Sequence, residues 1–232
     1  MENFSKTTYS EKVCTLIKAR IRSRKLKLGE SISEASIAEE CGISRAPVRE
    51  ALHILEEEGF LMSHPKRGKC VAILTPEHIR DSYELSALLE AGAAVKAAGG
   101  IPDSIRKKLD ELLEALKTSS LDEVNIDEHA SLGSAFHEAI LSLSGNEMLH
   151  SYASRFSRVI SKYLLYQEWR SIYSPLEQYE RHKKIYDALL TAEPERIRQA
   201  IYQHYSESSE RLARFCPSTT ASCKKKVHFP EE

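Results

Sequence analysis

The stretch Ser33-Glu34-Ala35-Ser36-Ile37-Ala38-Glu39-Glu40-Cys41-Gly42-Ile43-Ser44-Arg45-Ala46-Pro47-Val48-Arg49-Glu50-Ala51-Leu52 reads as helix, tight turn, helix. Ser33 is a helix N-cap, since a serine hydroxyl accepts from a first-turn N–H that has no intrahelical partner. Ile37 and Ala38 point inward, and Cys41-Gly42 ends the helix, because glycine enters the left-handed region without a Cβ clash. After only Gly42 and Ile43, Ser44 caps the next helix, which runs to Gly59. Pro47 falls in its first turn, where the missing N–H forfeits no bond. Val48, Ala51, Leu52, Leu55 and Phe60 supply the buried stripe, while Arg45 and Arg49 project from another face.

Upstream, Val13, Leu16, Ile17 and Ile21 share one face of a helix predicted over Ser10–Arg22, and Gly29 breaks the chain. Downstream, extended runs at Leu61–Ser63 and Cys70–Ile73 bracket Pro65-Lys66-Arg67-Gly68, a turn with two cations at its tip, which predicts a two-stranded wing. From Thr75 onward the patterns are helical. Thr75-Pro76-Glu77 starts a helix in which Leu85, Leu88, Leu89, Ala93 and Val95 carry the apolar pattern to Gly99-Gly100. Further helices are predicted over Pro102–Lys117, Asp127–Leu143, Asn146–Trp169, Pro175–Ala192 and Glu193–Phe215. The fold class is therefore mainly α, with a winged helix-turn-helix over residues 1–74 and an all-α helical bundle over 75–216. Residues 217–232, with Lys224-Lys225-Lys226 and two prolines, lack periodicity and read as a mobile tail.

A length of 232 residues suits two domains, and 41% apolar with 29% charged residues is the mix of a globular chain. No run approaches the ~20 apolar residues of a membrane span. Met1-Glu2-Asn3-Phe4-Ser5-Lys6 lacks the apolar core of a signal peptide, so a cytoplasmic chain without a membrane partner is expected. Cys14, Cys41, Cys70, Cys216 and Cys223 show no C-x-x-C spacing, which fits reduced thiols rather than a disulfide framework. The net charge of −1 hides an asymmetry: 13 Lys/Arg against 10 Asp/Glu through Leu74, then 20 against 24. A basic first part fits a polyanionic partner.

The second helix of a helix-turn-helix enters the major groove of double-stranded DNA, and its N-terminal residues reach base edges. Those residues are Ser44, Arg45, Ala46 and Arg49. Arginine gives two parallel hydrogen bonds to guanine, and Ser44 with the free N–H groups of the helix start suits phosphate. On the wing, Lys66, Arg67, Gly68 and Lys69 would lie near the DNA backbone or a minor groove. Solvated arginines on a surface helix are the alternative.

Ile43-Ser44-Arg45-Ala46-Pro47-Val48-Arg49-Glu50-Ala51-Leu52, then Leu55-Glu56-Glu57-Glu58-Gly59-Phe60 and Pro65-Lys66-Arg67-Gly68, resembles the GntR family of regulators. The part after Pro76, with Tyr83-Glu84-Leu85, Leu89-Glu90 and Ala97-Ala98, is similar to the FCD ligand-sensing domain of the FadR-type branch. The resemblance implies a homodimeric repressor on a short operator palindrome, with a small-molecule effector altering the spacing or freedom of the two DNA-binding domains. Leu28 stands where the family usually has proline, and Ala35 where some members carry a DNA-contacting arginine.

His137, His182 and His204 lie on three different predicted helices, each near an apolar stripe. A bundle can bring them around one divalent transition metal such as zinc or nickel; packing histidines are the alternative. The resemblance implies that these are three of four metal-ligand positions of metal-binding members. The fourth is ordinarily an aspartate one turn before the first histidine, and here it is Gly133. That leaves a neutral set open to water or to a carboxylate effector. Ser86 likewise replaces a common arginine, and Arg155 and Arg158 are the residues placed to bind an anionic effector instead. No H-E-x-x-H helix, phosphate loop or nucleophile elbow accompanies the histidines, so a regulator is expected and a three-histidine metalloenzyme is not. A DNA-binding dimer without an effector is the other alternative.

Overall fold

Three helices and a hairpin build the N-terminal unit. In the computed structural model, which describes residues 8–120, 126–157, 164–169 and 171–216, α1 (Tyr9–Arg22) starts at a reciprocal cap in which Thr8 and Glu11 bond each other's backbone N–H. Helix α2 (Glu34–Cys41) starts at Ser33, whose Oγ accepts from Ser36 N at 3.2 Å, and stops at Gly42 with φ +64°. Helix α3 (Arg45–Glu57) follows Ser44 directly. Val13, Ile17 and Ile21 of α1 pack on Val48, Ala51, Leu52 and Leu55 of α3, all buried.

The hairpin pairs β1 (Leu61–His64) with β2 (Gly68–Val71), antiparallel, with Leu61 opposite Val71 and His64 opposite Gly68. The second strand thus begins two residues earlier than its apolar run suggests and leaves Ala72 and Ile73 outside it. The turn before Gly68 sets that residue opposite His64, and a third segment pairs with the strand's other edge. Ser31 bridges Cys70, Ile32 N donates to Lys69 O at 2.8 Å, and Gly29 N donates to Val71 O at 2.9 Å. Gly29 allows this with φ +75°, and a Cβ there would come within 3.0 Å of Ile73 Cδ1.

Helices α4 (Pro76–Ala94), α5 (Asp103–Ser119), α6 (Ile126–Leu141), α7 (Glu147–Ser157), α8 (Tyr166–Trp169), α9 (Pro175–Leu190) and α10 (Pro194–Ala213) follow, with a 3-10 turn at Val95–Gly99. The longest helix pair is α4 with α10; α6 and α9 close the bundle against them. One expectation fails on α4. Leu85 and Leu88 are 37% and 52% exposed, and the inward face is Ile79, Tyr83, Ser86, Ala87, Glu90, Ala91 and Ala94. Small residues let α4 approach α10 closely, while the leucines form a separate outward stripe. The helix predicted through Trp169 is also interrupted, with a turn at Leu165. Cys14, Cys41, Cys70 and Cys216 are free thiols; Cys223 and the rest of 217–232 lie outside the described residues. Among the described residues no helix is long and apolar enough to cross a membrane.

Contacts join the two units. The Arg22 guanidinium, at the end of α1, stacks 4.0 Å over the Tyr166 ring, donates to Tyr166 Oη at 2.6 Å and lies 3.3 Å from Asp127 Oδ2. Tyr166 donates to Asp127, Arg24 pairs with Glu168, and Gln167 Nε2 donates to Arg22 O at 3.1 Å. Asp127 belongs to the first turn of α6.

Candidate functional site

The surface expected to read DNA is cationic, though its cations differ in freedom. Arg45 and Ala46 are exposed on the first turn of α3, and Ser44 caps that helix by backbone geometry without a side-chain bond. Arg49, one turn on, is bidentate to Glu34 of α2, with Nη2 to Oε1 at 2.7 Å and Nε to Oε2 at 3.1 Å. That hydrogen bond holds Glu34 below the usual carboxylate value and ties α2 to α3. Lys66 and Arg67 are exposed at the wing tip, before Gly68 with φ +68°. Lys69 instead turns back to pair with Glu56 of α3 and donates to Ser63 Oγ at 3.0 Å. Sequence spacing shows neither internal partner, because each pair is made across elements.

In the bundle, His137 on α6, His182 on α9 and His204 on α10 converge. One ring nitrogen from each lies within 4.8 Å of the others. Zinc at about 2.0–2.1 Å from each nitrogen sets imidazole nitrogens roughly 3.3–3.4 Å apart, so small side-chain rotations would close the set around an ion. The outer faces of two rings are already held. His137 Nδ1 faces Glu90 Oε1 at 2.8 Å and Oε2 at 3.0 Å, and His182 Nδ1 donates to Gln178 O at 2.6 Å. Outer bonds of this kind are what fix the tautomer and aim of metal-binding histidines. Arg181 donates to His204 O at 2.5 Å and pairs with Glu207, bracing α9 on α10. Phe136 meets the His182 ring edge-on at 5.2 Å.

Position 133 belongs to this cluster. A Cβ on Gly133 would lie 3.2 Å from His182 Nε2 and 3.3 Å from its Cε1. A side chain there would crowd the His182 ring, so glycine lets that imidazole pack close against α6. The donor set fits a borderline transition metal that accepts neutral nitrogen. His129, a further turn back, does not join; it bonds Ser119 Oγ at 2.6 Å, and burial lowers its pKa. Ser86 is buried, donates to Ser82 O at 2.9 Å, and stands one turn before Glu90. Arg155 and Arg158 lie outside the described residues, Arg155 apart from its backbone on α7.

Two residues of the site escape a spacing argument. Glu90 is 1% exposed, and Tyr205 donates to its Oε2 at 2.5 Å. Burial first, then the Glu90 charge, push the Tyr205 phenol well above its ordinary pKa, so it remains a donor. The available signal was a carboxylate at helical spacing from Tyr83, Ala87 and Ala94, on the stripe that faces inward. On the outer side, a groove of about 340 Å³ lined by Arg181, Lys184, Arg196, Gln203, Glu207 and other residues reaches His204.

Comparison with known proteins agrees with this architecture. Residues 81–207 match the model of the FCD domain, and residues 9–71 match that of the bacterial regulatory proteins of the gntR family. The Nta operon transcriptional regulator of Aminobacter aminovorans is 28% identical over 184 residues, covering 79% of this chain and 85% of that protein. The gluconate operon transcriptional repressor of Bacillus subtilis is 26% identical over 212 residues, 90% of this chain and 86% of its own. Among solved structures, a GntR transcriptional regulator from Rhodococcus sp. RHA1 superposes with a TM-score of 0.68 at 21% identity, over 91% of this chain and all of that one. E. coli McbR/YncC gives a TM-score of 0.65 at 20% identity, over 90% and 99%.

Proposed function

Because the chain belongs to the FCD family of bacterial regulators, with a GntR-type winged helix-turn-helix ahead of that domain, we propose that it is an effector-controlled repressor of the FadR-type branch. It is a DNA-binding transcriptional regulator; family members are regulators, not enzymes. The observation that carries the finer reading is the convergence of His137, His182 and His204 beside Gly133, in a domain whose α6 also meets the DNA-binding unit. In this reading residues 1–74 bind operator DNA through Ser44, Arg45, Ala46, Arg49, Lys66, Arg67, Gly68 and Lys69. Residues 75–216 sense and dimerise, 217–232 lie outside both, and the protein acts in the cytoplasm.

The three histidines would hold zinc or nickel, and a carboxylate effector would fill the side left by Gly133. When bound, the metal supplies a Lewis-acid anchor for that carboxylate. One finding supports an anionic effector: the Bacillus relative is named for the operon of gluconate, itself a carboxylate. Arg155 and Arg158 remain our assignment for the effector's charged end. The same relative, a repressor, supports repression here. A homodimer is supported by the outward stripe of Leu85 and Leu88 on α4, beside which α7 packs and adds exposed Met148 and Tyr152.

The full chain, with and without zinc, should select from random duplexes a palindrome with two half-sites, and should sediment as a dimer. Failure to enrich any duplex would remove operator binding from this reading; a monomer on an asymmetric site would remove the dimer.

The contacts of Arg22 with Tyr166 and Asp127 are the route by which α6 would report to α1. Allosteric couplings are typically worth 1–3 kcal/mol, about 5- to 150-fold in affinity. Arg22→Ala should leave zinc affinity unchanged and shrink the difference in operator affinity between zinc-loaded and zinc-free protein. A variant as responsive as the unaltered chain would place the coupling elsewhere.

A further inference from the structure

We propose that Glu90 is the positioning residue of the histidine cluster, aiming His137 and supplying from behind it the negative charge that Gly133 cannot. The inference rests on reading the three imidazoles as a metal centre. Glu90 lies on α4, whereas the histidines come from α6, α9 and α10, so it is a fourth helix's contribution to the same point. Its side chain is 1% exposed, and both oxygens are within 3.0 Å of His137 Nδ1. A buried carboxylate is retained only where its acceptor capacity is used. Tyr205 donates to one of those oxygens at 2.5 Å.

The chemistry of the pair follows from what each group can do. As a carboxylate, Glu90 only accepts, so the proton of a neutral His137 resides on Nδ1 and the lone pair on Nε2 is turned to the metal. Three neutral imidazoles leave the full dipositive charge of a metal in a half-buried site. An aspartate at position 133 would have halved it by direct coordination. Glu90 offsets part of it from behind His137, which keeps a coordination position open for an anionic effector while lowering the cost of the ion. Tyr205, next to His204 in sequence, completes the arrangement by fixing the carboxylate against rotation.

The test is zinc titration of the demetallated full chain against a chromophoric chelator, with Glu90→Gln, Tyr205→Phe and the surface control Glu138→Gln. Glu90→Gln should bind zinc roughly 10–100-fold more weakly, the range for loss of a carboxylate behind a metal-bound histidine, with a smaller loss in Tyr205→Phe and none in the control. The rise in Tm on adding zinc should shrink in Glu90→Gln along with its affinity. A purely structural Glu90 would show the reverse: a lower metal-free Tm and unchanged zinc affinity in the folded fraction. In case Glu90→Gln does not fold, the zinc-loaded unaltered protein carries its own readout. Long-range proton–nitrogen spectra should show His137 with its proton on Nδ1 and the metal on Nε2; zinc on Nδ1 would overturn the proposal. Equal zinc affinity in Glu90→Gln would overturn it too, with the metal centre intact. If the unaltered chain takes up no zinc, the metal reading itself fails and the proposal with it.

Discussion

Protein carrying His182→Ala is expected to take up no zinc at concentrations that saturate the unaltered chain. His182 supplies one of three converging nitrogens, and its Nδ1 is held by Gln178 O, so its other nitrogen is already aimed. Losing a ligand outright should cost more than the roughly 10–100-fold that loss of an outer partner costs. The variant will also be less stable. His182 is 5% exposed and packed against Phe136, and emptying a core side chain of similar size costs about 2–5 kcal/mol. For that reason His204→Ala belongs beside it, since His204 is only half-buried and its removal disturbs packing less. Both variants should keep metal-free operator affinity and lose the response to zinc. Elemental analysis and operator titration of the folded fraction check this. Full zinc uptake by His204→Ala would reduce the centre to two histidines and remove the reading of a three-nitrogen site.

Arg45→Ala is expected to lose about 1–3 kcal/mol on the selected operator, roughly 5- to 150-fold in affinity, with little change on a scrambled duplex. Arg45 is the first helical residue after the Ser44 cap, exposed at the end of α3 that we assign to the groove. Arg49 differs because it must exchange the Glu34 carboxylate for a base or phosphate, so its removal should cost less than that of Arg45. Fluorescence anisotropy on both duplexes separates the roles. An equal loss on the two would make Arg45 a phosphate contact, and no loss would remove it from the reading surface.

How much of this was legible beforehand varies with the range of the interaction. The start and stop of α2 and the start of α4 follow from Ser33, Gly42 and Thr75, whose effects are exerted on backbone groups within a turn, whereas Ser44 precedes α3 without a side-chain bond. Apolar periodicity recovered the α1 and α3 faces, since each had a single stripe. On α4 there are two, and periodicity cannot say which one another helix covers; Leu85 and Leu88 proved to be outside. The wing strand starts at Gly68 because the turn sets that residue opposite His64, and its other edge meets Ser31, distant in sequence.

By itself, then, the chain's residue order determined a winged helix-turn-helix followed by a helical bundle, and put three histidines on three helices. These follow from local capping, backbone freedom at glycine and helical repeat, all short-range effects. Tertiary structure alone decided that the imidazoles meet, that position 133 packs against His182, and that Glu90 stands behind His137, 47 residues away, and accepts from Tyr205, 115 residues away. It likewise decided that Arg22 reaches Tyr166 across 144 residues. A carboxylate, an imidazole and a phenol carry no mark of their partners in a linear chain; only burial, which makes an unpaired polar group costly, obliges them to find one another.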